Sequence, residues 1–153
     1  IQVVPDLEGI QCGCGQMGCL EPVSSATGII RMATDAVERG ERTTLSAVQG
    51  QLTAKDVFDA AKIGDDVALR IIRRAAHYLG KAMGTMAVVL NPQRFIIGGG
   101  VSRAGDLLFD GIRENFAKYT PEASRRGVDI VPAVLGNDAG VVGAAGLSLK
   151  QIR

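Results

Sequence analysis

All three cysteines of the chain fall within eight residues, Cys12-Gly13-Cys14-Gly15-Gln16-Met17-Gly18-Cys19, interleaved with glycine. Thiolates this close, on a backbone that bends sharply, point to ligands of one soft metal ion, zinc foremost. An odd number of cysteines excludes a complete disulfide framework, and a Cys-X-Cys pair has poor disulfide geometry. The chain is therefore expected in a reducing, cytoplasmic compartment. A structural zinc takes four ligands. Three sulfurs leave one position, for a nearby Asp or Glu or for a His or Cys outside the run. The bland alternative is three buried thiols without metal. His77, the only histidine, falls within a helical stretch and reads as a packed or surface residue rather than the fourth ligand. A catalytic thiol would have no evident base partner.

The 153 residues suffice for one domain with a real core, and 46% hydrophobic content predicts that it folds. Glycine, at 20 residues, is about twice as frequent as usual. It clusters at turns and element ends, which suggests binding loops rather than a fibrous repeat. The net charge is +1 with no basic block, so nothing here is a nucleic-acid footprint. Arg70, Arg73 and Arg74 share a helical face and read as solvated. The apolar runs are broken by charges, and no segment is expected to span a membrane. No signal peptide is visible, and the abrupt start at Ile1 reads as a chain cut from something longer.

Residues 1–5 read as an extended segment and 6–21 as the cysteine loop. Helical periodicity follows from Val23 to Arg39, with Ile29, Met32, Ala33, Ala36 and Val37 on the apolar stripe and Gly40 beyond its end. Residues 41–52 read as a connector. Thr53 caps a short helix over 54–61. A long helix runs from Asp65 or Asp66 to Leu90, where Asn91-Pro92 ends it. Gly80 and Gly84 inside it predict close packing against another backbone. Arg94–Ile97 is a strand entering the turn Gly98-Gly99-Gly100. A helix over 106–119 turns Leu107, Leu108, Ile112 and Phe116 inward. A second strand lies within 128–135, with Pro132 arguing for an edge or bulge. Gly136-Asn137-Asp138-Ala139-Gly140 leads into a last helix over 141–149, which Asp138 caps by default. The order implies α/β layering, helices on a small sheet.

Glu21 stands two residues after Cys19. It is either a first-turn carboxylate favoured by the helix dipole, with Pro22 early in the helix, or a hydroxyl acceptor held rigid by the metal. Gly98, Gly99 and Gly100 sit at a strand-to-helix junction where a nucleotide can approach the backbone. The pattern is neither GxGxxG nor a P-loop, and a tight turn explains it equally well.

Cys12-Gly13-Cys14-Gly15-Gln16-Met17-Gly18-Cys19-Leu20-Glu21 resembles the CxCGxxGCxE signature of the ROK family (repressors, open reading frames, kinases). Asn91–Ser102 resembles that family's strand and glycine turn, Leu135–Ala145 its closing helix, and Ile1–Asp6 the segment after its Glu-x-Gly-His motif. The bacterial glucokinases are the nearest in pattern. The resemblance implies an actin-like, hexokinase-type (ribonuclease H-like) α/β ATPase fold. This chain would be its C-terminal portion: a zinc loop at 6–21, a helical segment at 22–90 and a nucleotide-side α/β segment at 91–153. It implies Cys12, Cys14 and Cys19 as zinc ligands, completed by a histidine just before Ile1. Glu21 would bind sugar hydroxyls, and Gly98, Gly99 and Gly100 would lie near the adenosine.

The implied activity is transfer of phosphate from ATP, with Mg²⁺, to a hexose, glucose foremost. Mannose, N-acetylmannosamine and allose kinases of the family share these motifs. The family's Asp-x-Gly-x-Thr phosphate loop, general-base aspartate, second phosphate turn and Glu-x-Gly-His are not among these residues, so catalytic residues are expected outside them and the chain alone is expected to be inactive. A homodimer, or association with the missing N-terminal half, is expected. Two other functions fit: the sugar-sensing domain of a repressor of the same family, or a zinc-stabilised interaction module without a ligand.

Overall fold

The computed structural model describes residues 1–3, 10–101, 105–135 and 138–150. The architecture is a helical layer built around one long helix, followed by a small parallel βαβ unit. The short helix α1 spans Glu21–Ser24, α2 Ala26–Glu38, α3 Ala54–Lys62 and α4 Asp66–Leu90. Strand β1 covers Arg94–Ile97, α5 Asp106–Tyr119, α6 Glu122–Arg125, β2 Asp129–Pro132 and α7 Ala139–Lys150. Short 3₁₀ turns occupy Thr44–Ala47 and Gly99–Val101.

The helix ends follow their capping chemistry. Thr53 and Asp56 form a reciprocal capping box at the start of α3. Asn91 adopts the left-handed conformation (φ 45°) that closes α4 just before Pro92. The single helix expected from Val23 to Arg39 is two helices. Ser25 is extended (φ −81°, ψ 164°) and accepts a hydrogen bond from the Gly28 amide, so it ends α1 and caps α2. Asp138 stands directly before Ala139, the first residue of α7, at the position from which a cap would act; its neighbours Gly136 and Asn137 lie outside the described residues.

Helix α4 carries the core. Helices α1, α2, α3 and α5 all pack on it, around Ile29, Val57, Ile72, Met83, Leu108 and Ile112. The close approach expected at Gly80 is present. A Cβ there would lie 2.8 Å from the Ile112 carbonyl oxygen and the Phe116 amide nitrogen of α5, so glycine is what lets the two backbones meet. Gly84 likewise abuts Thr120. In α5 the inward residue is Phe109, 3% exposed, whereas Leu107 is 37% exposed. The core-facing phase of this helix is therefore set by Leu108, Phe109, Ile112 and Phe116.

Strands β1 and β2 pair in parallel, Arg94 opposite Asp129 and Ile97 opposite Pro132, with α5 as the crossover. Pro132 occupies the last strand position, where a missing N–H is tolerated. The Phe95 and Phe116 rings meet edge to face at 5.9 Å and fix the sheet to α5. Helix α7 is apolar on all sides yet exposed, with Val141 and Leu147 open to solvent. Val88, Val89 and Leu90 of α4 and Ile96 of β1 are exposed too.

One polar clamp ties the connector to α4. Asp65 accepts from the Thr44 amide (2.6 Å), the Thr43 and Thr44 hydroxyls (2.9 Å for each closest contact) and the Ala68 amide (3.0 Å). Burial pushes this carboxyl upward, but the Ala68 and Thr44 amides and the threonine hydroxyls outweigh it and hold the pKa at about 2. A carboxylate depressed in the folded state stabilises above its unfolded pKa. This one contributes about 2 kcal/mol at neutral pH, lost as pH falls from about 4 towards 2. Asp65→Ala is expected to lower stability at pH 7 by about 2–3 kcal/mol and to flatten that acid limb. Urea unfolding at a series of pH values reads both; an acid limb unchanged in the variant would show that Asp65 does not carry it.

Candidate functional site

The cysteine run forms a tight knuckle. The Cys12 amide donates to the Gln16 carbonyl (2.9 Å), the Gly15 amide to the Cys12 carbonyl (2.9 Å), and Gln11 and Met17 form an antiparallel bridge. Gly15, at φ +85°, supplies the left-handed residue this turn needs. The N-terminal segment locks the knuckle down. Gln2 bridges to Cys19, the Val3 amide reaches the Gly18 carbonyl and the Leu20 amide reaches the Ile1 carbonyl, both at 2.9 Å.

The three sulfurs converge, all within 4.8 Å of one another, and Cys14 Sγ lies 3.7 Å from Cys19 Sγ. Sulfurs at about 2.3 Å from a tetrahedral zinc stand about 3.8 Å apart, so the donor set fits the ion. The Gln16 amide, then the Cys12 and Cys19 thiols, hold the Cys14 thiol below its ordinary value. Burial, then its two sulfur neighbours, push Cys19 up to about 11. Three thiolates so close repel one another, and a bound divalent cation removes that cost. Among the described residues no fourth His, Cys, Asp or Glu joins the cluster. His77 is elsewhere: its Nδ1 is 3.0 Å from Asn115 Oδ1, and its ring meets Tyr78 and Tyr119 edge-on.

Two residues beyond Cys19, Glu21 opens α1. It is a first-turn carboxylate followed by Pro22, as the first sequence reading has it, and it is exposed. Its position is fixed from several sides. Val23 is fully buried against Tyr78 of α4, with Leu20 and Ile10 around it. Arg31 Nη2 donates to the Pro22 carbonyl at 3.1 Å. Ser25 donates to Glu21 Oε1 at 2.9 Å, and Thr27 reaches the same oxygen at 3.2 Å. Among the described residues Oε2 accepts no hydrogen bond, and a small open pocket lined by Gln11, Gly13, Glu21, Thr27 and Arg31 lies beside the carboxylate. Ser25 and Thr27 were not singled out in the sequence. The available signal was two hydroxyl residues four and six positions after Glu21, one of them at a helix N-cap.

The turn at Gly98, Gly99 and Gly100 leaves β1 and packs on the same region. A Cβ on Gly100 would lie 2.8 Å from Cβ of Ala26, the residue between Ser25 and Thr27. The fold thus brings the sulfur cluster, the clamped carboxylate and the glycine turn onto the two ends of one short stretch, Cys19–Thr27. Arg74, expected on a solvated face, is half-buried with its guanidinium 5.7 Å from the Tyr78 ring centre.

The thiol cluster, the held carboxylate and the glycine turn after a strand lie on an α/β domain. Residues 2–151 match the ROK family, and the chain belongs to it. It is 45% identical over 154 residues to the glucokinase of Halalkalibacterium halodurans, covering 99% of this chain and 46% of that protein. It superposes with a TM-score of 0.79 and 36% identity on a ROK family glucokinase from Streptomyces griseus solved with glucose and AMPPNP, covering 96% of this chain and 49% of that one. The DNA-binding transcriptional repressor Mlc of Escherichia coli is 30% identical over 141 residues, covering 92% of this chain and 34% of the repressor. The structural neighbours share the actin-like sugar kinase fold. The chain spans about half the length of the glucokinases it matches.

Proposed function

We propose that these residues are the C-terminal portion of a cytoplasmic hexose kinase that transfers phosphate from ATP with Mg²⁺, glucose being the acceptor. The observation that carries the reading is the two-residue link between a three-sulfur cluster and a carboxylate clamped on one oxygen. Cys12, Cys14 and Cys19 hold a structural zinc, with a fourth donor from outside the described residues. A zinc held there with a fourth donor would be structural and would supply no chemistry to the reaction; the knuckle formed by Cys12, Cys14 and Cys19 leads directly through Leu20 into α1. Glu21 then offers Oε2 to sugar hydroxyls while Ser25 and Thr27 hold Oε1. Charge-assisted hydrogen bonds of this kind orient a neutral polyol strongly. Gly98, Gly99 and Gly100 let the adenosine side of ATP approach the backbone. The general base and the phosphate loops come from the remaining length that the relatives have, and the exposed apolar surface of α7, β1 and the end of α4 packs against that part or a second copy. By itself the chain is inactive.

The test is a coupled assay of the natural protein that carries these residues, with glucose and ATP. Stoichiometric ADP and hexose 6-phosphate are expected. Sugar binding without any phosphoryl transfer would instead support the repressor-type reading, which the likeness to Mlc favours. Neither binding nor transfer would overturn both.

Gly28 provides an independent handle on the site. A Cβ there would sit 2.4 Å from the Pro22 carbonyl oxygen and 3.0 Å from that of Glu21, so α1 must move to admit it. Gly28→Ala is expected to cost about 1–3 kcal/mol of stability and to weaken glucose binding about tenfold or more. Thermal unfolding and calorimetry check the two effects; an unchanged affinity would mean that α1 does not position the sugar.

A further inference from the structure

The groove between α2 and α4 carries charged residues of which only Arg31 also lines the pocket beside Glu21. Arg31 and Asp35 of α2 and Arg39 at its C-cap follow one another at four-residue spacing, Arg70 and Arg74 do so on α4, and Glu41 stands beyond the end of α2. Residues four apart share a helix face, so two arginine rows line one groove. Its volume is about 640 Å³, the size of a small-molecule site. Among the described residues the lining holds four arginines against Asp35 and Glu41.

Arg31, Arg39 and Arg70 are held without being used up. Arg31 donates to the Pro22 carbonyl, Arg39 Nε to the Asp35 carbonyl at 2.9 Å, and Arg70 pairs with Glu41. Each of these contacts engages one nitrogen of a guanidinium that has five N–H donors. Half-buried Met32 and buried Ile71 contribute an apolar part to the lining, and low-dielectric walls strengthen the field of the charges between them. Planar guanidiniums with open forks match phosphoryl oxygens two by two. The concave shape and the lack of any basic block elsewhere point to a small ligand rather than a nucleic acid.

We propose that the α2–α4 groove binds a phosphoryl-bearing anion, either a phosphorylated sugar or free phosphate. The groove adjoins the pocket beside Glu21 and shares Gln11 and Arg31 with it, whereas Arg39, Arg70 and Arg74 lie outside that pocket; the proposal does not depend on the kinase reading.

The test is calorimetric titration of the natural protein with inorganic phosphate, with glucose 6-phosphate and with glucose. The double variant Arg39→Gln/Arg70→Gln removes two exposed guanidiniums while leaving Arg31, which also holds α1. Arg113→Gln/Arg126→Gln makes the same charge change on a different face and serves as control. Both anions are expected to bind the wild type and the control. Affinity should fall with salt and drop tenfold or more in the Arg39/Arg70 variant, with glucose binding unchanged. Equal binding of the two anions assigns the site to free phosphate, and a preference for the sugar phosphate assigns it to the phosphorylated sugar. Failure of both anions to bind the wild type overturns the proposal, as does equal affinity in the double variant. A change in self-association of that variant without anion binding also overturns it, by making the groove a contact between copies. Kinase activity that persists through any of these results leaves the Glu21 reading intact.

Discussion

Glu21→Gln in the natural protein is expected to weaken glucose binding about a hundredfold while leaving the metal content unchanged. The substitution keeps the shape and hydrogen-bonding length of the side chain and removes its charge. A charge-assisted hydrogen bond to a buried ligand hydroxyl contributes about 1.5–3 kcal/mol, and a carboxylate oxygen that engages one or two hydroxyls accounts for about 3 kcal/mol, or two orders of magnitude. Ser25 and Thr27 make the result interpretable. Both are directed at Oε1, so an amide placed there retains the clamp only if its oxygen faces them, and its NH₂ then meets hydroxyls that the carboxylate accepted from. Calorimetry with glucose gives the affinity directly. Wild-type affinity in the variant would remove Glu21 from the sugar site.

Cys14→Ser is expected to have the second large effect, acting through the metal. Serine is a poor zinc ligand, and loss of one of four donors removes about a quarter of the roughly 10–16 kcal/mol that structural zinc contributes, about 3 kcal/mol or more. Cys14 is exposed, so the substitution itself leaves no cavity, and any loss of sugar affinity reports on the metal rather than on packing. Zinc content and glucose affinity should fall together. The knuckle turn should lose its protection from proteolysis at the same time, because its few backbone bonds close a loop with little core beneath it.

The long-range frame was legible in the sequence because it rests on local chemistry. Thr53, Asn91-Pro92 and the apolar phase of 66–90 state where helices start and stop. Gly80 and Gly84, costly in a helix, are explained only by a neighbouring backbone, and α5 is that neighbour. The cysteine spacing likewise announced a cluster. Other features were hidden. The break at Ser25 escaped because Pro22 at a helix start and Ala26 beyond it suit one continuous helix; the decisive term is a hydroxyl that caps more favourably than it propagates. Leu107 and Phe109 differ only by which face of α5 meets α4, a tertiary choice. The four-residue α6 after Pro121 has too little periodicity to read. The Asp65 clamp joins Thr43 and Thr44 across more than twenty positions, a pairing that no local pattern encodes. The charge on Arg70 and Arg74 was visible, but the groove was not, since its other wall is α2.

Similarity across residues 2–151 establishes the kinship. The account stands on one link: the cluster of Cys12, Cys14 and Cys19 is a metal site, and that metal sets Glu21. The measurement that addresses it most directly is native mass spectrometry of the freshly purified natural protein, paired with glucose titration before and after chelation. One zinc per chain, removed by chelator along with glucose binding and restored with it on readdition, is the predicted result. A protein that carries no metal, or that binds glucose equally well after the metal is stripped, would contradict the link.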